Sequence, residues 1–313
     1  MTDIGKDEGF PRVPGSEPHR GDIDEVTGTA TTGHEWDGIK ELNTPMPRWW
    51  LWVFYATHAF ALVYILLFPA IPLLTSSTPG LLGWHARSEV AEEIDTVETA
   101  RADQVERIRT LPIEQVASDP TLNDFAVRGG ESAFKVNCVQ CHGSDAAGGV
   151  GFANLNDDDW LWGGSLEAIA QTITHGVRYA GDDDTRISEM PAFGKDGLLD
   201  RDQISAVTRH VLSLSKSGPA DAAGADVFAN NCAACHGGNG EGNRDVGAPN
   251  LSDAVWLYSS DPASIRAQVN SPRHGAMPAW GQRLDAATIK ELAIYVHSRG
   301  GGEPGPEEKA ASN

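Results

Sequence analysis

Cysteine is scarce in this 313-residue chain: Cys138, Cys141, Cys232 and Cys235 are the full set, and all four fall inside two C-x-x-C-H units. None is left for a structural disulfide, which excludes a disulfide-stapled scaffold, and cysteine usage by itself does not name the compartment. Methionine is equally sparse, with Met1, Met46, Met190 and Met277. Basic residues are outnumbered, 24 Lys and Arg against 44 Asp and Glu, for a net charge of −20. That balance argues against nucleic acid as a partner, because displacing counterions from phosphates needs a basic face. Residues 1–48 hold ten acidic and five basic residues, so about −15 remains beyond them. Such a charge steers a cationic partner or simply keeps the protein soluble.

The other conspicuous gap is in charge of either sign. Between Arg48 and Arg87 there is no Asp, Glu, Lys or Arg, and Trp49 to Thr75 is almost wholly apolar. About 20 such residues cross a hydrocarbon core, so residues 49–75 are expected to form one transmembrane helix, with tryptophans at its entry and Pro69 and Pro72 at its exit. A cleaved signal peptide fits poorly, because 48 polar residues precede the run. Lys40 and Arg48 before the span and Arg87 after it lean toward a cytoplasmic N-terminus. His58, mid-span, is a functional candidate by position, and the preferred reading is a hydrogen bond to a neighbouring helix. Residues 1–48 read as mostly extended, without helical periodicity. Residues 76–120 read as a juxtamembrane linker or helix, since Ser88 to Gln115 is rich in helix formers.

Beyond residue 120 the sequence repeats. "GESAFKVNCVQCHG" and "GADVFANNCAACHG" are offset by 94 residues, and "NLNDDDWLW" with "NLSDAVWLY", then "EMPAFG" with "AMPAWG", follow in the same order. "QISAVTRHVLSLS" and "TIKELAIYVHSRG" close the two copies with matching apolar helical patterns. Four landmarks in one order predict two tandem domains, 121–217 and 218–302, with a tail at 303–313, and count against an interlocked arrangement. The expected fold class is mainly α: one N-terminal transmembrane helix, then two class I cytochrome c-like domains.

C-x-x-C-H places two thiols one turn apart for thioether links to haem vinyl groups, with the next histidine facing the iron. Zinc needs four ligands and a thioredoxin-like site needs a βαβ context, and neither requirement is met by two cysteines per copy. Two covalent haem c groups are therefore expected, on Cys138 and Cys141 and on Cys232 and Cys235, with His142 and His236 as axial ligands. Each copy has one methionine followed by proline, about 40–50 residues after its haem histidine. Met190 and Met277 are the candidate sixth ligands, with His175 and His274 as rivals. The Pro249 carbonyl in "GAPNL" is a candidate acceptor for the Nδ1 proton of His236, and Ala153 stands at the matching place for His142.

These residues resemble the dihaem subunit III of cbb3-type cytochrome c oxidases over nearly the whole chain. "TTGHEWDGIKELNTPMPRWW" before the span, "NDDDWLWGG", and "EMPAFG" with "SLS" carry the resemblance more specifically than C-x-x-C-H does. The resemblance implies that Cys138, Cys141 and His142 hold one haem with Met190 distal, and Cys232, Cys235 and His236 the other with Met277 distal. It implies electron transfer from a donor cytochrome c, through a monohaem subunit, to a haem-copper catalytic subunit that reduces oxygen and pumps protons, with no oxygen-reducing site in this chain. It also implies a bacterial inner-membrane location with both haem domains periplasmic. Ala153 departs from the Pro usual before "NL". A free-standing membrane-anchored shuttle and a dihaem peroxidase are the competing functions. The "DDD" runs at Asp157 to Asp159 and Asp182 to Asp184 are candidate docking charges for a basic donor.

Overall fold

A computed structural model of the chain describes residues 23–303. Two compact units divide near Thr96. The first contains a hairpin, β1 (Thr31–Trp36) and β2 (Ile39–Leu42), paired antiparallel. Asp37 and Gly38 turn it, both with positive φ (49° and 85°), which is the Asp-Gly signature of a two-residue turn between strands. The extended reading of residues 1–48 holds for this part in a more ordered form, and residues 1–22 lie outside the described residues.

Helix α1 (Arg48–Leu67) is the one helix among the described residues long and apolar enough to cross a membrane. Its 20 residues span about 30 Å. The helix expected to continue to Thr75 stops at Leu67, because Phe68 precedes Pro69 and is driven to extended backbone (φ −117°, ψ 159°). The chain then folds back, so that Leu81 and Leu82 donate to the carbonyls of Leu66 and Leu67. His58 bonds the Phe54 carbonyl of its own helix (2.8 Å) rather than a neighbouring helix.

The second unit begins within α2 (Ala86–Thr110) and continues through α3 (Ile113–Ser118), α4 (Pro120–Asn137), the one-turn α5 (Val139–His142) and α6 (Leu166–His175). There follow α7 (Arg201–Leu214), α8 (Ala222–Asn231), one-turn α9 (Ala233–His236), α10 (Pro262–Asn270) and α11 (Ala286–His297). Carboxylates start these helices: Asp119, Asp200, Asp221, Asp261 and Asp285 each accept from first-turn backbone N–H groups. Part of the acidic excess thus serves as helix caps.

The repeats are tandem in sequence but interlocked in space. One core joins α4, α6 and the end of α2 to α11, the last helix of the second repeat, through Leu122, Phe134 and Ile169 against Leu292, Ile294 and Val296. The other joins α8 and α10 to α7, the last helix of the first repeat, through Phe228, Ile265 and Val269 against Ile204, Val207 and Val211. This corrects the expectation of two self-contained copies. Only seven residues separate α7 from α8, and so short a connection makes consecutive helices neighbours. Both crossings are close. A side chain at Gly130 would strike the Glu291 carbonyl, and one at Gly224 the Ala206 carbonyl.

The exchange is tied down by polar contacts. Lys290 on α11 donates to the carbonyls of Ile108, Arg109 and Leu111 (3.1, 3.0 and 2.6 Å), a cation on the open C-terminal end of α2. Past α11, Trp160 donates to the Gly301 carbonyl, and Arg299 reaches Asn156 and the Asp145 carbonyl.

A chain ended after Ser217 lacks α11 and leaves the α4 and α6 faces uncovered, so it should fail to load haem even at its intact C-x-x-C-H; covalent haem staining after expression checks this. Glu291 is 4 % exposed at the α4–α11 crossing, and burial, aided by Asp285 and opposed by Arg101, pushes its carboxyl up to about 7. A folded value above the unfolded one favours the neutral form, so its contribution is intact at acidic pH and is lost as pH rises toward and through 7, in total roughly 3 kcal/mol. Glu291→Gln should flatten the fall in thermal stability between pH 5 and 8.

Candidate haem sites

Each C-x-x-C-H begins at a helix end. Cys138 ends α4 and Cys232 ends α8, each with its N–H bonded to a phenylalanine carbonyl (Phe134, Phe228; 2.8 Å). The single turns α5 and α9 carry the second cysteine and the histidine. Cys138 and Cys232 face the cores, and burial pushes both thiols up to about 11, which keeps them neutral. Cys141 and Cys235 are exposed.

The histidines are fixed alike. His142 Nδ1 lies 3.0 Å from the Ala153 carbonyl oxygen and His236 Nδ1 3.0 Å from that of Pro249. A carbonyl only accepts, so Nδ1 carries the proton in both rings and Nε2 keeps its lone pair. Burial lowers both imidazole pKa values, favouring the neutral ring an iron ligand requires. The Ala153 contact is as short as the Pro249 contact, so the missing proline does not lengthen it. The loop that delivers it turns at Gly148 (φ 69°), where a Cβ would strike the Phe152 carbonyl and lie 2.5 Å from that of Ala153.

The structure brings Met190 together with Cys232, Cys235 and His236, all lining one mostly apolar cavity with Phe193, Val207 and Ile265. Met277 packs on the other core, as do Cys138 and Val139. Each methionine thus lies on the core that holds the other repeat's C-x-x-C-H, together with the helix that follows it. His175 is turned to Asp182 (3.1 Å), and His274 is exposed at the rim of the Met190 cavity. The donor set fits haem c twice over: two thiols, a neutral histidine with a free Nε2, and a thioether sulfur at each core.

Sequence reasoning missed Arg178. Its Nε donates to the Gly275 carbonyl (2.7 Å) and its Nη1 to the Ser188 carbonyl (2.9 Å). A signal was available: thirteen residues separate Gly176 from Met190 where one separates Gly275 from Met277, and Arg178 lies in that extra segment.

The model described as "Cytochrome C oxidase, cbb3-type, subunit III" matches residues 125–211 and 219–296, and the "N-terminal domain of cytochrome oxidase-cbb3, FixP" matches residues 28–75. The chain belongs to the subunit III family of cbb3-type cytochrome c oxidases. It is 52% identical to the FixP subunit of Sinorhizobium medicae over 90% of this chain and 98% of that one. It is 51% identical to the CcoP subunit of Cereibacter sphaeroides over 87% of this chain and 95% of that one, and 49% identical to the FixP subunit of Bradyrhizobium diazoefficiens over 90% and 98%. This subunit III is an electron-transfer cytochrome c component of an oxidase complex rather than a free-standing shuttle or a peroxidase, and its two cytochrome c matches imply two covalent haem c groups.

In this subunit III, Gly148→Val should displace the Ala153 carbonyl from His142. The first haem should then be lost or weakened while the second is retained, checked by haem content in variants that keep one C-x-x-C-H at a time.

Proposed function

We propose that this subunit receives electrons from a donor cytochrome c and relays them, through a monohaem cytochrome c subunit, to the haem-copper subunit that reduces oxygen. One haem would be held by Cys138, Cys141, His142 and Met277, and the other by Cys232, Cys235, His236 and Met190. The observation that carries the ligand set is the presence of Met190 in the cavity of Cys232, Cys235 and His236. Both methionines are half-buried on their cores, whereas His175 is engaged by Asp182 and His274 is exposed, which favours sulfur at both sites. Bound haem supplies one-electron chemistry at a potential that methionine ligation raises. The chain itself supplies a fixed neutral imidazole and a half-buried thioether at each core.

The helix α1 anchors the subunit in the bacterial inner membrane, with the N-terminus cytoplasmic and the haem domains periplasmic. Lys40 and Arg48 before the span support that orientation.

A basic donor would meet the acidic surface. Asp182 is turned inward onto His175 and mostly covered, so its run presents fewer exposed carboxylates than the sequence implies. A denser group, Asp158, Asp159, Asp245 and Asp253, shares a cleft with Ala233, Gly237 and Pro249 beside the second haem turn. There burial, together with Asp253 and Asp157, pushes the Asp159 carboxyl up to about 6. Electron entry at the second haem follows from this crowding of negative charge.

Two experiments test the reading. In a C232A/C235A chain that keeps only the first haem, Met277→Leu should abolish the near-infrared sulfur-to-iron band and Met190→Leu should leave it. The opposite result would restore the tandem pairing. Second, D158N/D253N should slow reduction by a basic cytochrome c several-fold at low ionic strength. The difference should vanish as salt shortens the Debye length to about 8 Å; equal salt slopes by stopped flow would move docking elsewhere.

A further inference from the structure

The two methionine loops do not merely lie in exchanged positions; they are joined through one short segment. Val177 forms an antiparallel bridge with Met277, its N–H donating to the Met277 carbonyl (3.0 Å) and its carbonyl accepting from the Met277 N–H (2.9 Å). On its other side the same residue forms a parallel bridge with Arg186, four residues before Met190, and the Arg178 N–H donates to the Arg186 carbonyl (2.8 Å). Val177 is therefore the backbone link between the two loops. The Arg178 side chain repeats the connection. One edge of its guanidinium reaches Gly275, two residues before Met277, and another reaches Ser188, two residues before Met190.

Two further features indicate a position fixed by its surroundings. The Arg178 backbone is left-handed (φ 50°), a conformation a long side chain adopts only where neighbouring structure enforces it. At Gly176 (φ 71°) a Cβ would strike the Met277 carbonyl, so backbone meets backbone with no room for slack. Arg178 also lines the cavity of Met190 and His236, and burial there lowers its pKa, with the charge held by the two carbonyls.

We propose that Arg178 is a positioning residue for both haem sites at once. By holding the Gly275 and Ser188 carbonyls on one rigid fork, it sets where both methionine sulfurs lie, so the two irons share a single structural determinant of ligation and potential. Arginine has the chemistry for this: a planar guanidinium offers N–H groups on separate nitrogens in fixed directions, whereas the three N–H groups of an ammonium radiate from a single nitrogen on a flexible stem. The inference rests on Met190 and Met277 being the axial ligands.

The test uses the full-length chain purified in detergent with both haems loaded, comparing parent, R178K and R178Q by near-infrared absorption and by redox titration. The parent should show sulfur-to-iron bands for two haems. R178Q should weaken both bands in parallel and lower both midpoint potentials, with haem content unchanged. R178K should recover part of both, because its ammonium keeps the charge and can donate to carbonyls but lacks the span and fixed directions of the guanidinium. A change confined to one haem, or bands and potentials like the parent's in R178Q, would overturn the shared role while leaving the methionine ligands in place. Loss of haem from both variants would overturn it too, since it would assign Arg178 to folding rather than to loop placement. Absence of the two bands from the parent itself would instead sink the methionine reading, and this inference with it.

Discussion

Helix α11 lies against α4 and α6, and that one packing interaction organises everything around it. Leu292 and Ile294 are fully buried there, each contributing about 1.5–3 kcal/mol by leaving water. Because α11 belongs to the second repeat, its docking draws Met277 to the first core and leaves the second core to be closed by α7, which carries Met190 with it. The second haem site is in effect a cytochrome whose C-terminal half precedes its N-terminal half, inserted into the first. The first core is complete only when residues on both sides of the insertion have met, whereas the second is built from one continuous stretch, Met190 to Val269.

Within that frame the sites obey ordinary ligand chemistry. A helix end presents the first cysteine, one turn presents the second cysteine and the histidine, and a backbone carbonyl takes the Nδ1 proton so that Nε2 is free. The two sites do this with different residues, Ala153 and Pro249, and the same 3.0 Å distance. What the contact requires is a carbonyl at the right place, supplied at the first site by a glycine turn at Gly148. Electrostatics separates the sites more than geometry does. The carboxylates of Asp158, Asp159, Asp245 and Asp253 crowd a cleft beside the second C-x-x-C-H turn.

Much of this is legible in the residues, because C-x-x-C-H, Met-Pro and an uncharged apolar run each admit few physical uses. The C-x-x-C-H turns, the apolar helix and the helices closing each repeat form over the residues the sequence marks for them. What is illegible is which copy's helix covers which copy's face. Periodicity reports that Leu292 and Val207 point inward, but two similar apolar faces satisfy the same pattern, and the choice falls to connection lengths: seven residues between α7 and α8, and an extra segment after Gly176. The end of α1 is hidden for a local reason, since apolarity continues past Phe68 while Pro69 forbids the helix from doing so. Asp37-Gly38 is a hairpin signal, masked by the polar composition around it.

If the haem domains are interlocked, cutting the chain reveals it most directly. A specific protease site placed between Ser215 and Ala220, in the connection from α7 to α8, would divide the detergent-purified, haem-loaded subunit into an anchored N-terminal fragment and a C-terminal fragment without a membrane span. Interlocked cores predict that the cleaved fragments stay together through size-exclusion chromatography, each with its haem, and separate only on denaturation. Release of a soluble, folded, haem-bearing C-terminal fragment under native conditions would contradict the exchange and restore two independent domains in tandem.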